Sequence, residues 1–419
     1  MCVRLENRDT STNNIIITGN NSTSNESNST SNENNSILNK YNLTLDKYNL
    51  LPIPNQLFST QDGKFQLTDS INGPFISFDD LKNNPIYEKY QSILDKPNID
   101  SMRSIKINTT NNNQLTVNLL KNRGNFSGKI YKSFGNIGNS CFYGSVIHLL
   151  QQINFTDVNR TSIDQNKYEL YDLIVGNLGI SNILGEQFKL DSSVYDQSVK
   201  DMNRIPRQQQ DAHEFLLYVI NNVFKLDTTN NKLKMVINED MYHAAGKKLS
   251  NKQTNTVYFE NTITEKIVGK DMEKLFYDNM VDLAELNSYR ENNVDNIFAY
   301  KFLYYNNFND YIIIKNNIIG STITDASKIN LNMTIEFTNN DTYLLTSVVY
   351  FIGNSLDSGH YVSAVFNNVI NDKLRYIYYN DSIINYADID IGSKYFTPTV
   401  FESVRSTHIP YITLYKKMN

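Results

Sequence analysis

Cys141 has the strongest setting for nucleophilic chemistry in this sequence. Asn136, Gly138 and Asn139 precede it, and such residues favour turns because they tolerate positive φ or hydrogen-bond their own backbone. Apolar residues then follow at helical spacing, at Val146, Leu149, Leu150 and Ile153. The thiol is therefore predicted at the start of a helix, where the dipole and unpaired N–H groups favour the thiolate. A buried, inert cysteine is the alternative, but the polar turn and the helix together favour an activated nucleophile.

A catalytic thiol needs a general base, and four of the five histidines are poor candidates. His148 lies two helical turns beyond Cys141, too far to reach the thiol. His213 is expected on a solvated polar face of its own helix. His243 and His408 have no surrounding residues that indicate catalysis.

His360 is the histidine that we expect to act as the base. A Gly-containing loop leads to it, and it begins a strand-like segment, a common setting for catalytic groups. If Phe366 pairs with Leu374 across the next turn, His360 lies opposite Asn380, with Cβ atoms about 4.5–5.5 Å apart. The Asn380 oxygen then fixes the imidazole tautomer and leaves the other nitrogen for the thiol. Asp381, one residue further on, is expected to point away from the ring if the strand persists.

Residues 208–223 are predicted to form another helix. Its apolar residues keep i, i+3, i+4 spacing, at Ala212, Phe215, Leu216, Val219, Ile220 and Val223. Asp211 and Glu214 share one edge of its first turn. His213 and Glu214 begin a metalloprotease-like pattern, but no second histidine follows four residues later, so we expect no metal there.

The second half of the chain is predicted to consist of strands separated by polar turns. The strand-like segments are 257–259, 311–314, 333–337, 343–351, 361–366 and 374–379. Residues 353–359 are expected to form the loop that precedes His360.

Length and composition limit the class of protein. The 419 residues suffice for one large domain or two ordinary ones, and the net charge of −5 offers no basic surface for nucleic acid. Cys2 and Cys141 are the only cysteines, which excludes a disulfide framework or a CxxC zinc ribbon and is consistent with a reducing compartment. We see no signal peptide and no apolar run of about 18 residues. We therefore expect a soluble intracellular protein without a membrane partner.

The chain is predicted to have three parts. Residues 1–37 are expected to be a disordered tail, because Ser, Thr, Asn and Glu dominate them. Residues 38–125 have scattered apolar pairs without a sustained period, and we interpret them as an extension of unreadable role. Residues 126–419 are predicted to form the catalytic domain. The heavy use of Asn, Ile and Tyr indicates an AT-rich genome, as in a virus or a protist.

Several ordered segments resemble the ubiquitin-specific protease family of papain-like cysteine proteases. Residues 136–145 are similar to the family's cysteine box, G-L-x-N-x-G-N-T-C-Y-x-N-S, and residues 210–215 to its Gln-Asp motif. Residues 357–361 match the S-G-H-Y core of the histidine box, and residues 376–382 resemble its W-x-x-F-[DN]-D-S segment. The closing residues 410–415 resemble the terminal A-Y-x-L-x-Y strand.

The resemblance implies an α+β fold with a helical thumb and antiparallel β palm and fingers. It implies that Cys141 is the nucleophile, His360 the base, Asn380 its orienter and Asn136 an oxyanion donor. The reaction is then hydrolysis of isopeptide or peptide bonds at the C-terminal Gly of ubiquitin, through a thioester acyl-enzyme. We expect no cofactor, and a monomer that acts on ubiquitin and ubiquitin conjugates.

The resemblance also implies residues that bind substrate. Asp211 and Glu214 are expected to hold the ubiquitin tail, because its basic residues suit acidic partners. The remaining candidates from the matched motifs are Gly359 and Tyr361 for the tail, and Asp381 and Asn139 as auxiliary groups.

Two departures from the family pattern leave the catalytic groups intact. The fingers of many relatives hold zinc on two CxxC pairs, which this chain lacks, so we expect fingers without zinc. Gly144 replaces the last Asn of the cysteine box. Two alternatives remain open: a deconjugase of a ubiquitin-like modifier, and a ubiquitin-binding protein with weak catalysis.

Overall fold

The computed structural model describes most of the chain after residue 128. The described ranges are 129–226, 232–243, 248–263, 271–291, 294–318, 329–337, 339, 341–355, 358–396 and 408–418, with the backbone of three short strands between 57 and 77. They divide into two compact units, of which one comprises 129–237, 255–280 and 305–418. The other comprises 238–254, 281–304 and the three short strands. The predicted tail, residues 1–37, and Cys2 lie outside the described residues.

Helices concentrate in the first half of the larger unit. Those of the described residues are α1 (Cys141–Leu150), α2 (Tyr168–Ile174), α3 (Ser192–Asp201), α4 (Ala212–Tyr218) and α5 (Met272–Asn279). Asp211 begins α4, because its carboxylate accepts a hydrogen bond from the His213 N–H at 2.6 Å. The predicted helix 208–223 therefore starts four residues late, and it ends in a π-helical turn, Val219–Val223.

Most of the described strands lie in the second half of the chain. In the described residues they are β1 (Leu57–Gln61), β2 (Lys64–Leu67), β3 (Phe75–Ser77), β4 (Ile130–Tyr131), β5 (Ser133–Phe134), β6 (Ile180–Ser181), β7 (Gln187–Phe188), β8 (Met235–His243), β9 (Lys248–Thr256), β10 (Phe259–Ile263), β11 (Val281–Glu291), β12 (Val294–Phe308), β13 (Tyr311–Ile318), β14 (Thr334–Glu336), β15 (Thr342–Ser355), β16 (Ser358–Ile370), β17 (Lys373–Asn380), β18 (Ile383–Asp390) and β19 (His408–Lys417).

An eight-stranded sheet is the main β layer of the larger unit. Its order is β10-β13-β19-β15-β16-β17-β18, with β14 paired to β15. The β10–β13 pair is parallel and the other pairs are antiparallel. The central strands β15 and β19 are buried along most of their length, which explains their nearly continuous apolar sequences. Helices and a largely antiparallel sheet make this an α+β fold.

Helix α1 packs on this sheet, against β16 and β15. Its whole length is buried, so it is a core helix rather than an amphipathic surface helix. Phe142 and Tyr143 on α1 contact Phe215 of α4, with ring centroids 5.7 Å and 4.4 Å apart. Tyr143 also meets Tyr195 of α3 edge to face at 5.4 Å. These aromatic contacts fix the helix that begins at Cys141.

The strand predictions agree with the observed strands except at two places. Segment 257–259 meets β10 only at Phe259. The predicted loop 353–359 is wrong at 353–355 and 358–359, because β15 continues to Ser355 and β16 begins at Ser358, its pairing partner, while residues 356 and 357 lie outside the described residues. Backbone hydrogen bonds continue the antiparallel pairing through these polar residues, and the polarity of the side chains does not indicate such bonds.

The smaller unit contains most of a four-stranded sheet of order β11-β12-β8-β9. Asp240 is fully buried in it and accepts hydrogen bonds from Asn251 Nδ2 at 2.7 Å and the Tyr304 hydroxyl at 3.3 Å. Gln253 Nε2 donates to Asn238 Oδ1 at 3.1 Å. Buried polar groups on these strands are therefore satisfied by side chains across the sheet.

Candidate active site

Cys141 is the first residue of α1, and its side chain is 4% exposed. The preceding turn has positive φ at Gly138 (104°) and Asn139 (54°), as its turn-forming residues predicted. Asn136 Oδ1 accepts hydrogen bonds from the N–H groups of Gly138 at 3.0 Å and Ser140 at 3.2 Å. One amide side chain therefore organises the turn that presents the thiol.

The imidazole of His360 lies between Cys141 and Asn380. Its Nε2 is 2.7 Å from Asn380 Oδ1, so Nε2 carries the proton in this pair and Nδ1 is left for the thiol. The hydrogen bond with the Cys141 side chain raises the pKa of His360, burial opposes it, and the Asn380 bond adds to it, giving about 9. The arrangement suits proton transfer between the sulfur and the imidazole.

The hairpin register that pointed to Asn380 is wrong by two residues. Phe366 pairs with Tyr376 rather than Leu374, and the ladder has a bulge between Phe366 and Asn368. With this register Asn380 is a diagonal neighbour of His360 instead of its direct partner. Diagonal neighbours remain within reach of long side chains, which is why the hydrogen bond still forms.

Asp381 does not turn away from the ring as the strand pattern predicted. The strand β17 ends at Asn380, and Asp381 follows with a positive φ of 49°. Its carboxylate lies 3.8 Å from His360 Nε2 and accepts a hydrogen bond from Asn136 Nδ2 at 3.2 Å. Asp381 therefore links the turn before Cys141 to the imidazole of His360.

His148 lies in the core, away from the thiol. Its ring stacks on Tyr379 with centroids 3.8 Å apart, and its nitrogens lie 3.0 Å from the Lys132 carbonyl and 3.1 Å from Ser363 Oγ. Burial lowers the pKa of His148 to about 4. It is a neutral packing residue.

The prediction of a solvated His213 is wrong. Its side chain is 5% exposed and meets the Tyr258 ring edge to face at 4.4 Å, and burial lowers its pKa to about 3. Tyr258 is remote in sequence, so helical spacing gives no sign of this contact. His408 is also buried, with Nε2 3.5 Å from the Tyr378 hydroxyl, and the His243 side chain lies outside the described residues.

The two predicted acidic residues of α4 have different partners. Asp211 caps the helix with one oxygen and accepts a hydrogen bond from the Tyr411 hydroxyl at 2.7 Å with the other. Glu214 is partly exposed and pairs with Arg204, whose Nε donates to it at 2.9 Å and whose Nη2 donates to its second oxygen. Of the two carboxylates, that of Glu214 is the one paired with an exposed side chain, Arg204.

Gly359, Tyr361 and Asn139 have structural roles in their loops and strands. A Cβ at Gly359 would lie 2.2 Å from the Phe351 ring, so only glycine fits there. Tyr361 is 5% exposed and packs against Tyr411 at 5.8 Å, and burial raises its pKa well above the usual range. Asn139 Nδ2 donates to the Arg207 carbonyl at 3.0 Å.

Gly144 makes room for Phe134. A Cβ at Gly144 would lie 3.2 Å from Phe134 Cδ2, a very close contact. Phe134 stands where the family's cysteine box has Leu, so the larger ring takes the space of a side chain at position 144. Glycine at position 144 is therefore matched to the Phe134 ring beside it.

Sequence reasoning missed two residues of this region. Tyr411 lay in a matched motif but received no role, and its bond to Asp211 depends on β19 lying beside α4. Nothing in the sequence indicated a role for Arg204, because its partner, Glu214, is ten residues away across a loop.

The described residues contain neither a cluster of metal-ligating side chains nor a membrane-spanning helix. No group of three or more His, Cys, Asp or Glu side chains in that part of the chain is arranged to hold a metal ion. No helix there is long and apolar enough to span a membrane.

Comparisons with known proteins identify relatives of this chain. The model of the ubiquitin carboxyl-terminal hydrolase family matches residues 133–415. The L293 protein of Acanthamoeba polyphaga mimivirus, whose name describes it as a ubiquitin carboxyl-terminal hydrolase, is 27% identical over 337 residues, which is 74% of each chain. Among solved structures, the SAGA Ubp8/Sgf11/Sus1/Sgf73 DUB module bound to ubiquitin aldehyde matches with 14% identity and a TM-score of 0.49, covering 86% of this chain and 80% of that chain. The same module with monoubiquitin matches with 14% identity and a TM-score of 0.48, covering 87% and 81%. The chain belongs to the ubiquitin carboxyl-terminal hydrolase family, and it is a cysteine-type enzyme of that class.

Proposed function

We propose that the protein removes ubiquitin from conjugates by attack of Cys141 on the carbonyl of the terminal Gly of ubiquitin. The observation that carries this proposal is the chain of contacts from Cys141 through His360 to Asn380, with a 2.7 Å bond at its far end. Family membership supports the substrate class. No residue in this chain of contacts departs from the family motifs.

The proposed reaction has two halves. Because the pKa of His360 is raised to about 9, the imidazole takes the thiol proton before the sulfur attacks, and it then gives this proton to the leaving lysine amine as the C–N bond breaks, which leaves a thioester on Cys141. A water molecule then loses a proton to His360 and attacks the thioester carbonyl. The C–S bond breaks, ubiquitin leaves with a free carboxylate, and the thiol regains its proton.

Asn136 is the proposed oxyanion donor, with Asp381 as its positioning residue. The Asn136 amide has two N–H bonds, and one already donates to Asp381. The other is available for the oxygen that gains negative charge, and two backbone bonds to Oδ1 hold the amide in place. We assign Asn139 only to holding the turn.

The ubiquitin tail is proposed to pass along the start of α4. Glu214 is the acidic group that a basic tail residue meets, and Asp211 contributes its charge from a fixed position. Gly359 and Tyr361 then shape the cleft from behind, since one admits the Phe351 ring and the other is buried.

The architecture is proposed to follow the family. The helices α1–α4 then form the thumb, the eight-stranded sheet the palm and the four-stranded sheet the fingers, as in papain-like proteases with finger insertions. The proposed fingers hold no zinc, and residues 1–37, 38–125 and 126–419 remain the proposed tail, extension and catalytic domain. Because ubiquitin conjugates occur in the cytoplasm and nucleus, we assign the protein to these compartments, in the host cell if its source is viral.

Ubiquitin with a fluorogenic amide at its C-terminus tests the proposed function against both alternatives. We expect kcat/KM for ubiquitin to exceed that for matched amides of ubiquitin-like modifiers by at least about tenfold, because the tail contacts discriminate by transition-state binding. Faster hydrolysis of a ubiquitin-like amide would instead identify a deconjugase of that modifier. Binding of ubiquitin without any hydrolysis would identify a binding protein.

The raised pKa of His360 predicts the alkaline side of the pH profile. Because the pKa is raised to about 9, the proton on His360 favours the folded state below the ordinary value of 6.5 and this contribution disappears as the pH rises through about 9. The same proton is needed by the leaving amine, so kcat/KM should fall with an apparent pKa near that value. Asn380→Ala should move the fall to lower pH, measured within the range where circular dichroism shows a folded protein. A fall centred near 6.5 in the parent enzyme would contradict the assignment.

A further inference from the structure

The carboxylate of Glu214 is occupied by an arginine of the same chain. Arg204 donates from Nε and Nη2 to the two Glu214 oxygens, and the side chains are 48% and 41% exposed. An exposed pair of this kind exchanges partners readily, because solvent screening leaves it only a small net stability. A cation of the substrate reaches the Glu214 carboxylate by replacing Arg204, or it shares the carboxylate with Arg204.

The loop that carries Arg204 is fixed at both ends. Asn203 and Arg207 have positive φ, at 58° and 64°. The Arg207 carbonyl accepts a hydrogen bond from Asn139 in the cysteine turn at 3.0 Å, and Gln210 Nε2 donates to the Ile205 carbonyl at 3.0 Å. We name residues 203–207 the arginine loop. It contacts the cysteine turn through the Arg207 carbonyl and the first turn of α4 through Arg204.

Asp211 is not exchangeable in the same way. Its two oxygens accept hydrogen bonds from the Tyr411 hydroxyl and from the His213 N–H that it caps. Displacing the His213 N–H would uncap α4 and displacing the Tyr411 hydroxyl would leave a buried donor without its acceptor, whereas displacing Arg204 moves only a surface side chain. Glu214 is therefore the acid at which an arriving cation competes with a protein group.

We propose that Arg204 determines the affinity for the substrate tail by competing with a basic tail residue for Glu214. This inference rests on the proposed function, because it takes the basic tail of ubiquitin as the substrate. The arginine loop then acts as an internal counterpart of the tail, which neutralises Glu214 when the cleft is empty. Substrates without a basic residue at that point gain nothing from displacing Arg204.

Arg204→Gln tests the competition. We expect KM for the fluorogenic ubiquitin amide to fall by about two- to fivefold, the range that an exposed ion pair supplies, with the effect confined to KM. The fall should shrink at high salt, because the freed charge is screened. Arg160→Gln is the matched control, since Arg160 makes the same two-pronged bond to Asp172 and its loss alters net charge equally.

The double variant Arg204→Gln/Glu214→Gln separates competition from other effects. In the Glu214→Gln background the second change should leave KM where it is, because the contested carboxylate is gone. An unchanged or higher KM in Arg204→Gln alone would overturn the inference, as would an equal fall in the Glu214→Gln background or in the Arg160→Gln control.

Ubiquitin binding to proteins that also carry Cys141→Ala keeps this test separate from the proposed function. The dissociation constant should fall on adding Arg204→Gln by the same factor as KM. A parent enzyme that hydrolyses no ubiquitin substrate would refute the proposed function, while this binding comparison would still decide the role of Arg204. Equal binding by the two proteins would refute the competition.

Discussion

Cys141→Ala is expected to lower kcat for the fluorogenic ubiquitin amide by about four to six orders of magnitude, the loss typical of a missing nucleophile. The thiol is the proposed nucleophile and hydrogen-bonds with the imidazole of His360, and alanine offers nothing to accept the acyl group. Ubiquitin binding should persist, because the change removes one buried sulfur from a helix held by aromatic contacts.

Cys2→Ala is the matched control, since Cys2 is the other cysteine of the sequence. It should have the parent's kcat and KM. Substantial turnover by Cys141→Ala, or a loss on changing Cys2, would refute the nucleophile assignment. Thermal unfolding of each variant excludes misfolding as the cause of a loss.

Asn380→Ala is expected to reduce single-turnover rates by roughly one to three orders of magnitude with little change in ubiquitin binding, because it removes the acceptor that orients the imidazole. Asn380→Asp should retain much more activity, since a carboxylate accepts the same bond and stabilises the imidazolium. Near-normal chemistry in Asn380→Ala would show that the 2.7 Å contact has no catalytic consequence.

Asp381→Ala tests whether Asp381 contributes to the reaction by positioning Asn136. A strand pattern alone predicts a nearly normal enzyme, but the carboxylate holds Asn136 at 3.2 Å and lies 3.8 Å from the imidazole. We therefore expect a loss of roughly tenfold or more, and little further loss when Asn136→Ala is added, because both changes remove one oxyanion donor. Independent, multiplying losses would contradict the positioning role of Asp381.

Local chemistry predicted the parts of the site that depend on neighbouring residues. The Asn and Gly residues before Cys141 form the expected turn, and the apolar spacing after it gives the expected helix. The pairing of His360 with Asn380 was reached through a wrong register, because the two-residue turn at Asn371 and Asp372 and the bulge near Asn368 set the pairing, and hydrophobic alternation reveals neither. The contact exists because a diagonal pair is close enough for a hydrogen bond.

Contacts between distant segments were beyond sequence reasoning. The burial of His213 depends on Tyr258, and the turn of Asp381 towards the imidazole depends on where β17 ends. The reason for glycine at position 144 is visible only in the structure, where the Phe134 ring lies beside it. Each case couples segments whose spacing in sequence carries no periodic signal.

A ubiquitin derivative with an electrophile at its C-terminus tests the central claim most directly. After incubation with the full-length protein, intact mass spectrometry should show one covalent adduct, and peptide mapping should locate it on Cys141. The Cys141→Ala protein should form none, and Cys2 should stay unmodified. An adduct on another residue, or one that persists in Cys141→Ala, would contradict the account of this site.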